Sequence, residues 1–311
     1  MSDALAAVLV EAFSEGPGGG NGAAVVLLST PVPDGWMQRV AASLRQSETA
    51  FLLRHHDQWL LRWFTPSCEV PLCGHATLAA LLALRHWDLL SPHQPLHFLS
   101  RSGPLPAGLA DRARRGWLEL PGGGLRPSEP PTCLQALLRR RLAHSCEAFW
   151  HSALGYAVAL VAPGARLELL AGLAAELPPE VRNGLVVMQP VCSAPTGERQ
   201  PQPDAMVGGE AADYRLRFFA PGLGIDEDPV TGSAHALVAP WWMERLGRSR
   251  VVGWQCSDRP GGMVCEATSS GTIRLTGSGH LLWDGNLRAN PPPCSIDSSG
   301  CEVWRLLACA S

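Results

Sequence analysis

Arg62-Trp63-Phe64-Thr65-Pro66 runs into Gly74-His75-Ala76, and Arg217-Phe218-Phe219-Ala220-Pro221 runs into Gly232-Ser233-Ala234. Each string reads as a strand of bulky residues, a proline-containing loop, and a glycine opening an apolar helix. The copies stand 155 residues apart at Phe64 and Phe219 and 158 apart at Gly74 and Gly232, so they differ by three residues in the loop. A chain of 311 residues, about two domains at ~150 residues each, that carries the same unit in each half predicts two similarly built domains.

Working outward, apolar runs bounded by Gly and Pro predict strands at Ala4 to Ala12, Ala23 to Leu28, Thr49 to Leu53, Trp59 to Phe64, Trp117 to Leu120, Tyr156 to Val161, Leu185 to Met188, Leu216 to Phe219, Met263 to Ala267 and Thr272 to Leu275. Helices are expected at Asp34 to Arg45, with Asp34 as N-cap, at about Gly74 to His86, at Cys133 to Ala143 and at about Gly232 to Leu246. The balance is α+β and strand-heavy, without strict βαβ alternation. Residues 121–132, PGGGLRPSEPPT, suit a linker between a first domain at 1–120 and a second at 133–290. Thr196 to Asp213 reads as a polar loop, and Pro291-Pro292-Pro293 opens a tail, 291–311, expected to be an appendage and open to disorder.

Composition closes off several classes of function. Hydrophobic residues are 46%, and 32 Gly with 27 Pro fall short of a disordered composition, so the chain folds. The net charge is −3 and no basic stripe stands out, which argues against nucleic acid as a partner. All 25 basic residues are arginine, so a pyridoxal phosphate Schiff base, a lysine aldolase and a Walker lysine are excluded. None of the 10 cysteines forms a C-x-x-C pair and no histidine pair has zinc-finger spacing, so no metal site is expected. Leu5 to Val10 follows Asp3 and is too short for a signal or membrane segment. The expectation is a cytoplasmic protein without membrane contact, its thiols free.

The repeat has a chemical consequence. Two helix N-termini, each entered through glycine, offer backbone N–H donors and the positive dipole end to a carboxylate or phosphate. Proton-moving side chains stand beside them: His75 at the first, and Asp228 before the second in Glu227-Asp228-Pro229-Val230-Thr231-Gly232-Ser233-Ala234-His235. Taken one at a time these have ordinary readings. The glycines would start core helices, Asp228 would be a turn residue, His235 a packed structural histidine, and Glu48 in Gln46-Ser47-Glu48-Thr49-Ala50-Phe51 a surface glutamate.

The strings SETAFL, RWFTP, EVPLCGHATLA and EDPVTGSAH, in this order and spacing, resemble the phenazine-biosynthesis PhzF family, including its mammalian MAWD-binding-protein-like branch. The resemblance runs from about Val8 to Gly285. It implies a diaminopimelate-epimerase-like fold: two pseudo-equivalent domains, each a β-barrel-like sheet around a central helix, with the active site in a cleft between them. It also implies a cofactor-independent isomerase, usually a homodimer, acting on a small carboxylate-bearing substrate. The family's acid/base glutamate falls on Glu48, its helix-start Gly-His on Gly74 and His75, its aspartate on Asp228, and its Gly-Ser on Gly232 and Ser233. The catalytic set is then Glu48, His75 and Asp228, with Gly74, Gly232 and Ser233 binding substrate. Asn21-Gly22 stands where the family usually has Asn-Pro, and Pro260 interrupts an Arg-Gly-Gly at Gly261.

Two other readings remain open. A thiol-dependent racemase or epimerase of this fold carries a cysteine before each helix-start glycine; here Cys73 precedes Gly74, but Thr231 precedes Gly232, the pairing of a hydroxyproline-dehydratase-like lyase. A binding protein that kept the fold without catalysis is the other, against which the retention of Glu48, His75 and Asp228 speaks.

Overall fold

The computed structural model describes residues 4–91, 94–110, 115–191, 205–289, 291–292, 294 and 301–309. In chain order the first elements are β1 (Leu5–Ala12), β2 (Asn21–Leu28), α1 (Asp34–Leu44), β3 (Glu48–His55), β4 (Gln58–Phe64), β5 (Glu69–Val70), α2 (Gly74–His86), β6 (Leu96–Ser100), β7 (Gly103–Ala110) and β8 (Arg115–Pro121). Then follow β9 (Leu125–Pro127), α3 (Thr132–Leu142), β10 (Cys146–Ser152), β11 (Ala157–Val161), β12 (Leu185–Pro190), β13 (Met206–Val207), β14 (Glu210–Ala211), β15 (Tyr214–Ala220), β16 (Ile225–Asp228), α4 (Gly232–Leu246), β17 (Arg250–Gln255), β18 (Gly261–Ala267) and β19 (Thr272–Gly277). The chain ends with β20 (Gly279–Leu287) and α5 (Glu302–Cys309).

Two compact units result, one of residues 1–119 and 278–311 and the other of 120–277. In the first, the ladder order is β20, β1, β2, β3, β4, β6, β7, β8, with β5 paired onto β4. Only the β2–β3 and β4–β6 pairings are parallel. In the second, the order is β9, β10, β11, β12, β15, β17, β18, β19, with β16 paired onto β15 and parallel pairs only at β11–β12 and β15–β17. Strand for strand, direction for direction, the two ladders are the same, so the repeat seen in two short strings extends to whole sheets. β13 and β14 form a separate hairpin.

Each sheet is built around one helix. In α2 every residue from Gly74 to Leu84 is buried, and the helix packs on β1, β2, β3, β7 and β20. A helix apolar on all sides has to be enclosed, and Ala and Leu dominate it because small and linear side chains let strands approach all round. α4 does the same against β9, β17, β18 and β19, with Ala234 to Ala239 buried throughout. By contrast α1 buries only the stripe Trp36, Met37, Val40 and Ala41, which covers the outside of the first sheet together with Phe51, Leu53 and Phe64.

Four expectations change. The C-terminal domain does not run to residue 290: β20 leaves it and pairs with β1 from Leu5↔Leu287 to Ala12↔Gly279. The stretch 121–132 is not a free linker, since Leu125–Pro127 pairs with β10 and α3 begins at Thr132. Nor is 291–311 an appendage: Cys301, Trp304 and Leu307 lie in the apolar cluster of the first unit, and Trp304 Nε1 donates to the Val32 carbonyl at 3.0 Å. Cys294 and Cys301 form a disulfide, so the expectation of free thiols fails for this pair. Most of the Thr196 to Asp213 loop falls outside the described residues, and what is described of it holds the β13–β14 hairpin. Among the described residues no helix is long and apolar enough to cross a membrane.

Candidate active site

α1 closes at Arg45, which takes the left-handed conformation (φ 54°) and returns its N–H to the Ala41 carbonyl at 3.1 Å. After Gln46 and Ser47 the chain enters β3 with Glu48 as its first residue. The parallel register sets Ala23 beside Glu48, and Asn21, two residues earlier on β2, shares that face. Glu48 is 7% exposed, which corrects its reading as a surface residue. Asp34, expected as the N-cap of α1, is the first helical residue instead, and Pro33 holds the cap position.

His75 is the second residue of α2 and is buried. Its Nε2 lies 2.9 Å from Glu48 Oε2, a buried oxygen with no hydrogen bond of good geometry. Its Nδ1 faces Asn21 Nδ2 at 3.1 Å, and Ser47 Oγ donates to Asn21 Oδ1 at 2.9 Å. Cys73, extended at the N-cap (φ −148°, ψ 113°), makes no side-chain cap hydrogen bond, so that helix end stays open. Its Sγ stands 3.5 Å from Nδ1 and 3.9 Å from Nε2 of His75. A sulfur in line with the Nδ1 lone pair would stand farther from Nε2 by roughly the width of the ring, so the thiol lies against the imidazole and not along either N–H direction.

Burial, and after it the Glu48 charge, push the Cys73 thiol up to about 11, so it is protonated at neutral pH. Burial works against the His75 imidazolium, but the charges of Cys73 and Glu48 outweigh it and raise His75 well above the usual histidine range. With Cys73 a thiol, its share of that effect is absent near neutrality, so burial, the largest of the opposing causes, faces the Glu48 charge alone and the upward push on His75 is correspondingly smaller. Donor atoms of Glu48, Cys73 and His75 lie within 4.8 Å of one another, the one such cluster among the described residues.

In the second unit α4 begins the same way. Thr231 is extended (φ −114°, ψ 100°) and makes no side-chain cap bond; its Oγ1 donates to Asp228 Oδ2 at 2.6 Å. Gln255 on β17 accepts from the Thr231 N–H at 2.8 Å and donates to the Asp228 carbonyl at 2.5 Å. Gly232 and Ser233 are the first two helical residues. The structure thus gathers Glu48, Gly74 and His75 at one helix start, and Asp228, Gly232 and Ser233 at its counterpart. His235 is fully buried, holds the Tyr214 hydroxyl at 2.9 Å through Nδ1, and is pushed down by burial to about 3, in keeping with a structural role.

Motif reading alone missed Asn21, Ser47 and Gln255 as neighbours of these helix starts. It also missed a buried clamp present twice. Arg62 on β4 holds Glu69 on β5 through Nε and NH2 at 2.8 and 2.9 Å, and Arg217 on β15 holds Glu227 on β16 at 2.7 and 2.5 Å. Each guanidinium also stacks on the phenylalanine two residues on, Phe64 at 5.2 Å and Phe219 at 5.5 Å. The arginines are offset by 155 residues and the glutamates by 158, so the repeat itself was the available signal. The pairs tie down the loops that deliver Gly74 and Gly232.

Comparison with known proteins agrees with this architecture. The family profile described as phenazine biosynthesis-like protein matches residues 10–285. A Pseudomonas aeruginosa protein described as an uncharacterized isomerase is 36% identical over 282 residues, covering 90% of this chain and 97% of its own. The crystal structure of a PhzF-family phenazine biosynthesis protein from Enterococcus faecalis superposes with a TM-score of 0.73 at 27% identity, covering 91% of this chain and 99% of that one. A hydroxyproline epimerase from Agrobacterium vitis, at 11% identity and a TM-score of 0.55 over 96% of this chain and 97% of its own, shares the fold. With two matching ladders each enclosing a helix, and a family match across both, the chain belongs to the phenazine biosynthesis-like (PhzF) family of isomerases.

Proposed function

We propose that the protein shifts a proton within a small carboxylate-bearing substrate, with Glu48 as base and then acid and without a cofactor. The observation that carries this is Glu48 Oε2, a buried carboxylate oxygen without a well-formed hydrogen bond, 2.9 Å from His75 Nε2 at the open start of α2. Glu48 takes the proton from a carbon beside the carboxylate or conjugated system, and negative charge moves onto the substrate's oxygens. The N–H groups of Gly74 and His75, in the first turn of α2 and so without partners inside the helix, stabilise that charge. The proton then returns from Glu48 to a different carbon, so that one C–H bond breaks, one forms, and no redox change occurs. His75, with Nε2 at 2.9 Å, is the group facing Glu48, and the equivalent helix start of the second unit, with Asp228, Gly232 and Ser233, is a second candidate for binding a polar group. The family resemblance supports a homodimer, which light scattering tests.

The experiment is Glu48→Gln, assayed against a panel of cyclic and acyclic amino and hydroxy carboxylates selected by thermal shift. Isomerisation is expected to fall at least ~100-fold while binding persists; undiminished activity overturns the assignment. Cys73→Ser separates this from thiol chemistry. A neutral thiol lying against an imidazole is packing, so that variant is expected to retain activity, whereas a thiol-dependent racemase would lose it.

A further inference from the structure

Asn21 is the first residue of β2, fully buried, and its amide bridges Ser47 and His75. A side-chain amide has one accepting and one donating end. With Oδ1 taking the Ser47 hydroxyl proton at 2.9 Å, the donating Nδ2 is left facing His75 Nδ1 at 3.1 Å. Two N–H groups cannot point at each other inside a protein without leaving both unsatisfied, so Nδ1 has to be the bare nitrogen. The imidazole proton then sits on Nε2, where Glu48 Oε2 waits at 2.9 Å.

We propose that Asn21, braced by Ser47, is the positioning residue that keeps His75 neutral with its proton on Nε2, the nitrogen that faces the Glu48 carboxylate at 2.9 Å, so that no imidazolium pairs with the base. The proposal rests on the reading of Glu48 as the proton carrier but concerns a different atom, the proton on His75. It also settles a competition at the site. The Glu48 charge favours a second proton on His75, and Nδ1 is the nitrogen that would receive it. An imidazolium beside Glu48 would hold the carboxylate in an ion pair and weaken it as a base, and the donor end of the Asn21 amide opposes that outcome. Cys73 does not compete for Nδ1, since its sulfur lies nearly equidistant from the two ring nitrogens.

The test needs no substrate. With histidine labelled in both ring nitrogens, long-range proton–nitrogen correlation spectra at neutral pH report the protonation of each ring, and His75→Gln identifies the signal. Wild type is expected to show one protonated nitrogen, Nε2, and one bare nitrogen, Nδ1. Asn21→Asp replaces the donor with an acceptor and is expected to convert His75 to the doubly protonated form, with the other histidine signals unmoved. Should that variant not fold, Ser47→Ala, which releases the amide, is expected to reduce the Nε2–H population. A wild-type His75 that carries its proton on Nδ1 or on both nitrogens overturns the proposal, as does a wild-type pattern in a folded Asn21→Asp. Failure of Glu48→Gln to lower activity would sink the assignment of the base while leaving these spectra as they are, so the two failures are distinguishable.

Discussion

Arg62 grips Glu69 with two parallel hydrogen bonds, Nε to Oε1 at 2.8 Å and NH2 to Oε2 at 2.9 Å, while its NH1 reaches Asp34 at 2.7 Å. The guanidinium is fully buried and the Glu69 side chain only 12% exposed. Removing Arg62 leaves the largely buried Glu69 carboxylate with only the half-exposed Arg101, whose NH1 reaches Oε2 at 3.1 Å. Arg62→Ala is therefore expected to cost ~3–5 kcal/mol in urea melts. Arg62→Lys keeps the charge but loses the two-pronged geometry, so most of that loss is expected to remain. A change within about 0.5 kcal/mol for the alanine variant would show that the clamp does not hold this loop.

Trp304 is fully buried beneath the outer face of the first sheet, with Arg62 stacked on it at 5.0 Å. Deleting residues 291–311 should uncover Val32, Trp36 and their neighbours. Trp304→Ala alone is expected to cost ~3–5 kcal/mol, the usual range for a large aromatic lost from a core. The melting temperature of the truncated chain checks this, and an unchanged value would restore the reading of the tail as an appendage.

The pH dependence of stability should carry a signature of His235. Its folded pKa, about 3, lies below the ordinary histidine value, so the unfolded chain binds the proton more tightly than the folded one. The stabilisation is complete above the unfolded value of about 6.5 and drains away as pH falls toward about 3, at up to ~1.4 kcal/mol per pH unit. Denaturant melts between neutral pH and pH ~4 are expected to show this slope in wild type and a shallower one in His235→Gln. Equal slopes in the two proteins would refute it.

Gly253 on β17 lies against the same pair. A methyl group there would overlap His235 Nδ1 and the Tyr214 hydroxyl, both in the core. Gly253→Ala is expected to destabilise by ~1–3 kcal/mol, the range for overpacking, and to break the Tyr214–His235 hydrogen bond. A melting curve matching wild type would show that the core yields at no cost.

What could be read from the sequence, and what could not, follows from burial. α2 and α4 were legible because a glycine marks each start and the stretch behind it is mostly apolar. β3 and β4 were legible because both faces are covered. β20 was not, since Leu281, Leu282 and Trp283 are 41%, 47% and 48% exposed and no alternation survives. β7 hides Pro104 and Pro106 within Gly103–Ala110, which reads as a loop. For the candidate site, Glu48 and His75 came from motifs, whereas Asn21 and Gln255 reach the helix starts through sheet register, which short strings do not encode. The Arg–Glu clamps are encoded in the repeat, but each glutamate lies beyond the string that carries its arginine, across a loop of different length in the two halves.

The pairing of β20 with β1 also sets an order of events during synthesis. The second unit is a continuous stretch, so all of its strands have been made before Gly277 leaves the ribosome. The first unit has most of its sheet by then but lacks the strand that covers the β1 edge, and lacks Trp304 to cover its outer face. It is expected to remain open to proteases in released chains truncated after Gly277, while the second unit is already protected. The half of the protein made first is thus the half finished last, and for the length of residues 120–277 its growing core waits with β1 as an unpaired edge.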